Sequence, residues 1–241
     1  MTTDFQNAYQ DQTRAEAYAR LEFPGSYYLA YRDIPELIRR QVNGTEALDF
    51  GCGAGRSTRF LKKLGLNAMG IDVSEEMVAK AREFDPKGRY LRVTGSDYGA
   101  LPRHHFDLVL SMFTFDNIPG VENRRATLSG LGELTKESGR IILLDATPEI
   151  YWNEWASFST KDFPENRMVK SGGLVKIIIT DVDDKRPVTD TLWFDEDYRD
   201  LFNASDLKLV ETVRPLGLPT EPYDWVSETT VAPWVIYVLS K

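Results

Sequence analysis

The sequence predicts an α/β protein built on a doubly wound, mostly parallel sheet. Two observations carry this. From residue 46 to residue 145, short apolar runs alternate with segments of helical periodicity, the rhythm of parallel strands linked by crossover helices. The first of those runs, Ala47–Phe50, leads through glycines 51, 53 and 55 into a helical stretch, Arg56–Leu64. Glycines there let the backbone turn tightly and approach a ligand with no Cβ in the way, so a nucleotide-like ligand is expected at the carboxyl end of that strand.

The elements follow in order. Residues 2–20 place Phe5, Ala8, Tyr9, Ala15, Tyr18 and Ala19 at helical spacing. Asp33–Glu36, with Pro35 in the first turn, has the pattern of a capping box and predicts a helix to about Val42. Strands are expected near 46–50, 67–72, 89–94, 106–112 and 139–145, with helices near 55–64, 74–84 and 121–135. Ser74 is placed to cap the second of these helices, with Glu75 and Glu76 near its positive end. After residue 146 the rhythm breaks. An irregular aromatic stretch, 147–172, precedes a hairpin of 174–181 and 188–194, a helix over 195–203, and strands 207–214 and 233–239, expected as an antiparallel pair at the sheet edge.

Composition narrows the function. Acidic residues outnumber basic ones, for a formal net charge of -8, which argues against a nucleic-acid partner. No apolar run is long enough to cross a bilayer, and the first twenty residues lack the apolar centre of a signal peptide, so a cytoplasmic enzyme without a membrane partner is expected. Cys52, the one cysteine, excludes an internal disulfide.

Three glycine-loop chemistries compete. A mononucleotide phosphate loop needs Lys where Arg56 stands and a glycine where Phe50 stands, so it fails. A dinucleotide fingerprint needs its third glycine at position 56, which weakens it. The pattern Asp-x-Gly-x-Gly-x-Gly at 49–55 resembles the first motif of class I S-adenosylmethionine (SAM) dependent methyltransferases. Gly70-Ile-Asp-Val-Ser74, Gly95-Ser-Asp-Tyr-Gly-Ala-Leu-Pro102 and Phe106–Phe113 fall where that family places its next segments.

The resemblance covers residues 46–145 well and the last two strands in outline. It implies a Rossmann-like seven-stranded sheet with an antiparallel edge strand, N-terminal helices, a lid inserted after the fifth strand, and SAM as cofactor. It implies that Asp49 and the loop Gly51, Cys52, Gly53 and Gly55 hold the methionine end. Asp72 would grip the ribose hydroxyls, with Val73 and Met77 beside sugar and base; its rival role is membership of the capping sequence at Ser74. Asp97 and Tyr98 would meet the adenine, although Ser96 is an insertion in the usual Gly-Asp pair and a solvated turn is the competing reading. Met112, Phe113 and Thr114 would lie beside the sulfonium.

The expected division is a single domain: an N-terminal helical cap (1–45), the SAM-binding core (46–146), a substrate-cover insertion (147–194) and the remainder of the sheet (195–241). Tyr18, Tyr28, Trp152, Trp155 and Trp193 are the substrate-binding candidates, although aromatic residues of this kind are ordinary core as well. Asp116, Asn117 and Asp145 are the catalytic candidates, being acids and an amide at the ends of the fourth and fifth strands, where the competing role of Asp116 and Asn117 is a helix cap. No metal is expected, because the sequence around Asp116 and Asp145 does not match the metal-assisted group. His104 and His105 precede the fourth strand and so belong to its far end, and Cys52 is expected to be a small loop residue rather than a nucleophile. The expected reaction is methyl transfer to N, O or C of a small molecule. The alternatives are an NAD-dependent oxidoreductase, or a non-catalytic regulator that binds SAM or its product.

Overall fold

A computed structural model describes Leu21 and residues 24–241. The expected helix over 2–20, and Tyr18 with it, lie outside the described residues.

Seven strands form the central sheet: β1 (Glu46–Phe50), β2 (Asn67–Asp72), β3 (Arg89–Arg92), β4 (Phe106–Met112), β5 (Thr135–Ala146), β9 (Lys208–Val213) and β10 (Trp234–Ser240), in the order 3-2-1-4-5-10-9. β1 to β5 run parallel, whereas β10 runs antiparallel to both β5 and β9. The strand of opposite sense is therefore one place in from the edge, and β9 closes the sheet. Every residue of β4 is buried, as a strand covered on both faces requires.

Crossover helices α3 (Arg56–Lys63), α4 (Glu75–Phe84) and α5 (Val121–Leu134) follow β1, β2 and β4. Ser74 caps α4 as expected, its Oγ accepting from the Met77 N–H. The box at Asp33 does not form. A short helix, α1 (Ser26–Arg32), delivers the chain to Asp33 already in helical conformation, and the Arg32 guanidinium takes both oxygens of the Asp33 carboxylate at 2.8 and 2.9 Å. α2 (Ile34–Gln41) opens there with no side-chain cap. β5 begins at Thr135, immediately after α5, four residues ahead of the expected start at 139.

Between β5 and α6 (Asp195–Ala204) the chain builds a second, three-stranded sheet from β6 (Phe158–Ser159), β7 (Leu174–Ile179) and β8 (Val188–Thr191). The hairpin of β7 and β8 is the predicted one, paired from Leu174 with Thr191 to Ile177 with Val188. This insertion shares an apolar core with α1, α2 and one face of the main sheet, while α5 and α6 cover the other face. No described helix is long and apolar enough to cross a membrane.

Candidate functional site

A cavity of about 440 Å³ opens at the carboxyl ends of the parallel strands. Phe50 and Gly51 from β1, Asp72 and Val73 from β2, Gly95 and Ser96 after β3, and Met112 and Phe113 from β4 form successive parts of its wall. Asn117, Asn123 and Thr127 close the side toward α5. This is the crevice position where open parallel sheets bind ligands.

The glycine loop shapes one rim. Gly51 has φ 70°, and a Cβ there would lie 2.3 Å from Thr114 Oγ1, so only glycine fits. Gly53 also has positive φ, but no atom stands within 4 Å of where its Cβ would be. Beneath the loop, Asp49 is fully buried. Its Oδ2 accepts from Ser57 Oγ and Thr58 Oγ1 at 2.7 and 2.5 Å, and its Oδ1 has no hydrogen-bond partner among the described residues. Burial raises its pKa to about 6 against the lowering effect of those two hydroxyls. Asp72 stands on the wall, with Oδ2 accepting from the Gly53 N–H at 2.8 Å and Oδ1 from the Ser74 N–H at 2.9 Å. Burial moves its pKa upward, opposed by those two bonds.

Other predicted positions differ. Cys52 turns away from the large cavity and packs with Val78, Ala81 and Tyr90, where burial pushes its thiol pKa well up. Asp97 is exposed and accepts from the Gly99 N–H at 3.0 Å, so it closes a turn; the extra residue Ser96 takes the wall position. Tyr98, expected to offer its backbone N–H to the base, buries its ring edge-on against Phe50. His104 and His105 lie at the opposite end of β4, their N–H groups donating to the last residues of α5.

Two smaller cavities, each of about 40 Å³, adjoin the large one. One lies under the loop, between Tyr31, Cys52 and Arg56 at the start of α3. The other, an inner chamber, lies on the far side of Phe113 and has Tyr27, Tyr151, Phe158 and Trp234 as aromatic walls. Asp116 and Asp190 supply its polar wall, and Phe113 and Asn117 face both it and the large cavity. Phe113 has φ 57°, a conformation that costs a bulky residue about 1–2 kcal/mol. Its ring packs against Trp234 at 4.9 Å and Tyr27 at 5.6 Å.

Asp145 lies behind the chamber, fully buried, accepting from Tyr198 Oη. Burial raises the pKa of Asp116, Asp145 and Asp190, and repulsion from Asp116 raises the last two further. Among the described residues, no group of three or more His, Cys, Asp or Glu is arranged to hold a metal ion.

The predicted substrate aromatics have other occupations. Trp155 is buried, its Nε1 donating to the Ile150 carbonyl; Trp193 stacks on Arg124 at 4.1 Å; Tyr28 packs against Tyr223 at 4.9 Å; and Trp152 lies beside Phe194. None of the four lines the cavities described. The rings that do were hidden by position, because Tyr27, Tyr151, Phe158 and Trp234 come from four separate segments. Tyr151 and Phe158 belong to the aromatic stretch 147–172 and Tyr27 to the N-terminal tyrosines, whereas Trp234 has no such signal in sequence.

Comparison with known proteins fits this frame. Residues 48–143 match the methyltransferase domain family. A 2-methyl-6-phytyl-1,4-hydroquinone methyltransferase of Synechocystis is 29% identical over 62% of this chain and 54% of its own length. A demethylmenaquinone methyltransferase of Tropheryma whipplei is 32% identical over 42% of each. The chain thus spans about half the length of the curated relatives it matches. Among solved structures, the CcbJ methyltransferase of Streptomyces caelestis aligns over 94% of this chain and 95% of its own, with TM-score 0.65 and 16% identity. DesVI of Streptomyces venezuelae aligns over 93% and 97%, with TM-score 0.60 and 18% identity. The oxidoreductase and regulator alternatives find no support in these matches. Residues 48–143 thus match a methyltransferase domain, and the fold built around them is like that of solved SAM-dependent methyltransferases.

Proposed function

We propose that this protein transfers the methyl group of SAM to a small molecule held in the chamber behind Phe113. The observation that carries the reading is the pair of adjoining cavities. The large one, at the strand ends, has the volume and wall residues to take a nucleoside, and the inner one shares Phe113 and Asn117 with it. SAM supplies an electrophilic methyl on a sulfonium.

The residues present fit that cofactor. Asp72, on the cavity wall and held by two backbone N–H groups, keeps free lone pairs for the ribose hydroxyls. Val73 and Met77 supply the apolar wall for the base. Gly51 lets the chain approach closely, and Met112 and Phe113 border the reacting end. Arg56 and the start of α3 offer positive charge in the small cavity under the loop, where the amino-acid carboxylate would sit. Asp49 acts from below, fixing Ser57 and Thr58 and hence the loop. The insertion 147–194 supplies two walls of the chamber through Tyr151 and Phe158, which suits a substrate cover.

Catalysis would come mainly from alignment and exclusion of water, since a nucleophile held in line needs little else. The hydroquinone and demethylmenaquinone relatives by name bring an aromatic acceptor into consideration; Asp116 and Asp190 give the chamber a polarity that a purely apolar quinone would not use.

The test is thermal melting with cofactors. SAM at about 100 times its dissociation constant adds roughly 2.7 kcal/mol of stability, and NAD adds none. Stabilisation by NAD alone would overturn the reading.

A further inference from the structure

We infer that the inner chamber recognises a protonated amine on the methyl acceptor, with Asp190 and Asp116 as its counter-charges and Asp190 as the group that takes up its proton. This deepens the proposed methyl transfer and rests on it.

The first argument is charge balance. Asp116 after β4, Asp190 on β8, Tyr151 after β5 and Tyr27 on α1 are the titratable groups that line the chamber, and Asp145 on β5, Tyr198 on α6 and Arg124 on α5 lie behind it. Arg124 acts on Asp116 and Asp145, which also hydrogen-bond to each other, whereas among the described residues no cation acts on Asp190. Arg124 is 2% exposed and lies over the rings of Trp193 and Tyr198 at 4.1 and 4.6 Å; its Nε and Nη2 atoms have no hydrogen-bond partner among the described residues. Its charge serves the Asp116–Asp145 pair and leaves Asp190 without a counter-charge. A buried carboxyl group without a counter-charge is held toward its neutral form, and a cation entering beside it would let it ionise.

The second argument is an open acceptor in the chamber wall. Asp190 is 7% exposed, and Tyr151 Oη donates to its Oδ2 at 3.1 Å. Its Oδ1 receives no hydrogen bond from the described residues. Asp116 accepts from Asn117 Nδ2 at 2.7 Å, which ties it to the residue shared with the large cavity.

The third argument is the remaining wall. Tyr27 and Phe158 stand 5.0 Å apart, and Phe158 and Trp234 stand 5.6 Å apart, ring centre to ring centre. With Phe113 they make an aromatic wall beside the carboxylates, and aromatic rings are neighbours that favour an ammonium and its attached carbons. An alcohol or quinone would leave the missing charge unsupplied.

The reaction then balances within the site. The ammonium N–H bond breaks, its proton passing to the Asp190 carboxylate, and the nitrogen keeps the electron pair. That pair forms the N–C bond to the methyl carbon as the C–S bond breaks, its electrons going to sulfur. The product nitrogen carries the positive charge that the sulfonium loses. A carboxyl group whose affinity for protons is raised by burial suits the transfer at neutral pH.

The experiment is calorimetric titration of the full chain, with and without saturating S-adenosylhomocysteine, using primary amines from methylamine to benzylamine and the matching alcohols. Amines are expected to bind tighter than about 10 mM, and at least about tenfold tighter than the alcohols. Asp190→Asn is expected to remove that preference, while Tyr151→Phe, which keeps the carboxylate, retains it. Equal affinity for alcohols and amines, no amine binding, or an unchanged preference in Asp190→Asn would each overturn the inference. The wild-type comparison depends on no variant folding. Binding of S-adenosylhomocysteine is read in the same titrations, so failure of the cofactor assignment shows separately from failure of amine recognition.

Discussion

The Gly53 N–H donates to Asp72 Oδ2 at 2.8 Å, so the glycine loop after β1 is tied to the end of β2. The same carboxylate accepts from Ser74 at the head of α4. Asp72 is therefore both a ribose ligand, as proposed, and the clasp that sets the loop. Asp72→Ala should weaken SAM binding by at least about tenfold, and should cost about 1–3 kcal/mol of stability because two N–H groups lose their acceptor. Calorimetric titration with parallel urea melts measures both. Unchanged affinity would remove Asp72 from the site.

Phe113 divides the cavities from a backbone conformation that suits glycine. Its N–H donates to the Leu144 carbonyl at 3.0 Å, and three aromatic neighbours hold the ring. Phe113→Ala should lose about 3–5 kcal/mol through the emptied ring position. Phe113→Gly should be at least as stable as Phe113→Ala, by up to about 1 kcal/mol, because it relieves φ at 57°. Both should lose methyl transfer while still binding SAM. A glycine variant clearly less stable than the alanine one would show that the conformation carries no strain.

The parallel core was legible because most of its strands carry an apolar run, continuous in β4, and because helix starts such as Ser74 punctuate the crossovers. The Asp33 box failed for a reason outside local pattern: a neighbouring arginine took the carboxylate, and a preceding helix fixed the backbone. In the site, residues at strand ends could be placed from sequence, and so Gly51, Asp72, Val73, Met77, Met112 and Phe113 lie on the cavity wall. Asp97 could not, since a single inserted residue turns its side chain to solvent. The inner chamber was illegible because its walls converge from α1, β4, the insertion and β10. Trp152, Trp155 and Trp193 show the converse: large aromatic residues declare burial, not which cavity they face.

Cys52 sits in the loop yet is 4% exposed, with burial and the nearby acids Asp49 and Asp72 holding its thiol protonated. Native protein should react with a disulfide reagent only at the rate of opening, far more slowly than unfolded chain. Cys52→Ala should retain methyl transfer to within a few-fold. Rapid labelling of the native thiol, or loss of activity in a folded Cys52→Ala protein, would restore a chemical role for the residue.

Buried acids set the pH response of the ligand-free protein. The pKa of Asp49 rises from 3.8 to about 6 on folding, so the folded state holds its proton more tightly. Its stabilising contribution is complete below the unfolded value and is lost as pH rises through about 6. Asp72, Asp116, Asp145 and Asp190 shift in the same direction. Glu36, Asp85, Asp195 and Glu211 shift the other way, and their contribution is lost only in acid. The melting midpoint should therefore fall from about pH 5 to about pH 7.5, and Asp49→Asn should flatten part of that slope. A midpoint that rises across this window would contradict the assignment.

Arg124 is the buried cation nearest those acids, and its charge lowers the pKa of Asp116 and Asp145. It also fills the space between Trp193 and Tyr198, so two contributions must be separated. Arg124→Met keeps an unbranched apolar stem and removes the charge. The loss should be larger at about pH 8 than at lower pH, because the attraction between Arg124 and Asp116 or Asp145 exists only in so far as those carboxyl groups are ionised. At about pH 5.5 both carboxyl groups hold protons more readily in the variant, and the loss should shrink toward the packing contribution alone. Urea denaturation at the two pH values measures the difference. Equal losses at both would show that Arg124 serves as a flat packing surface and that Asp116 and Asp145 balance their charge without it.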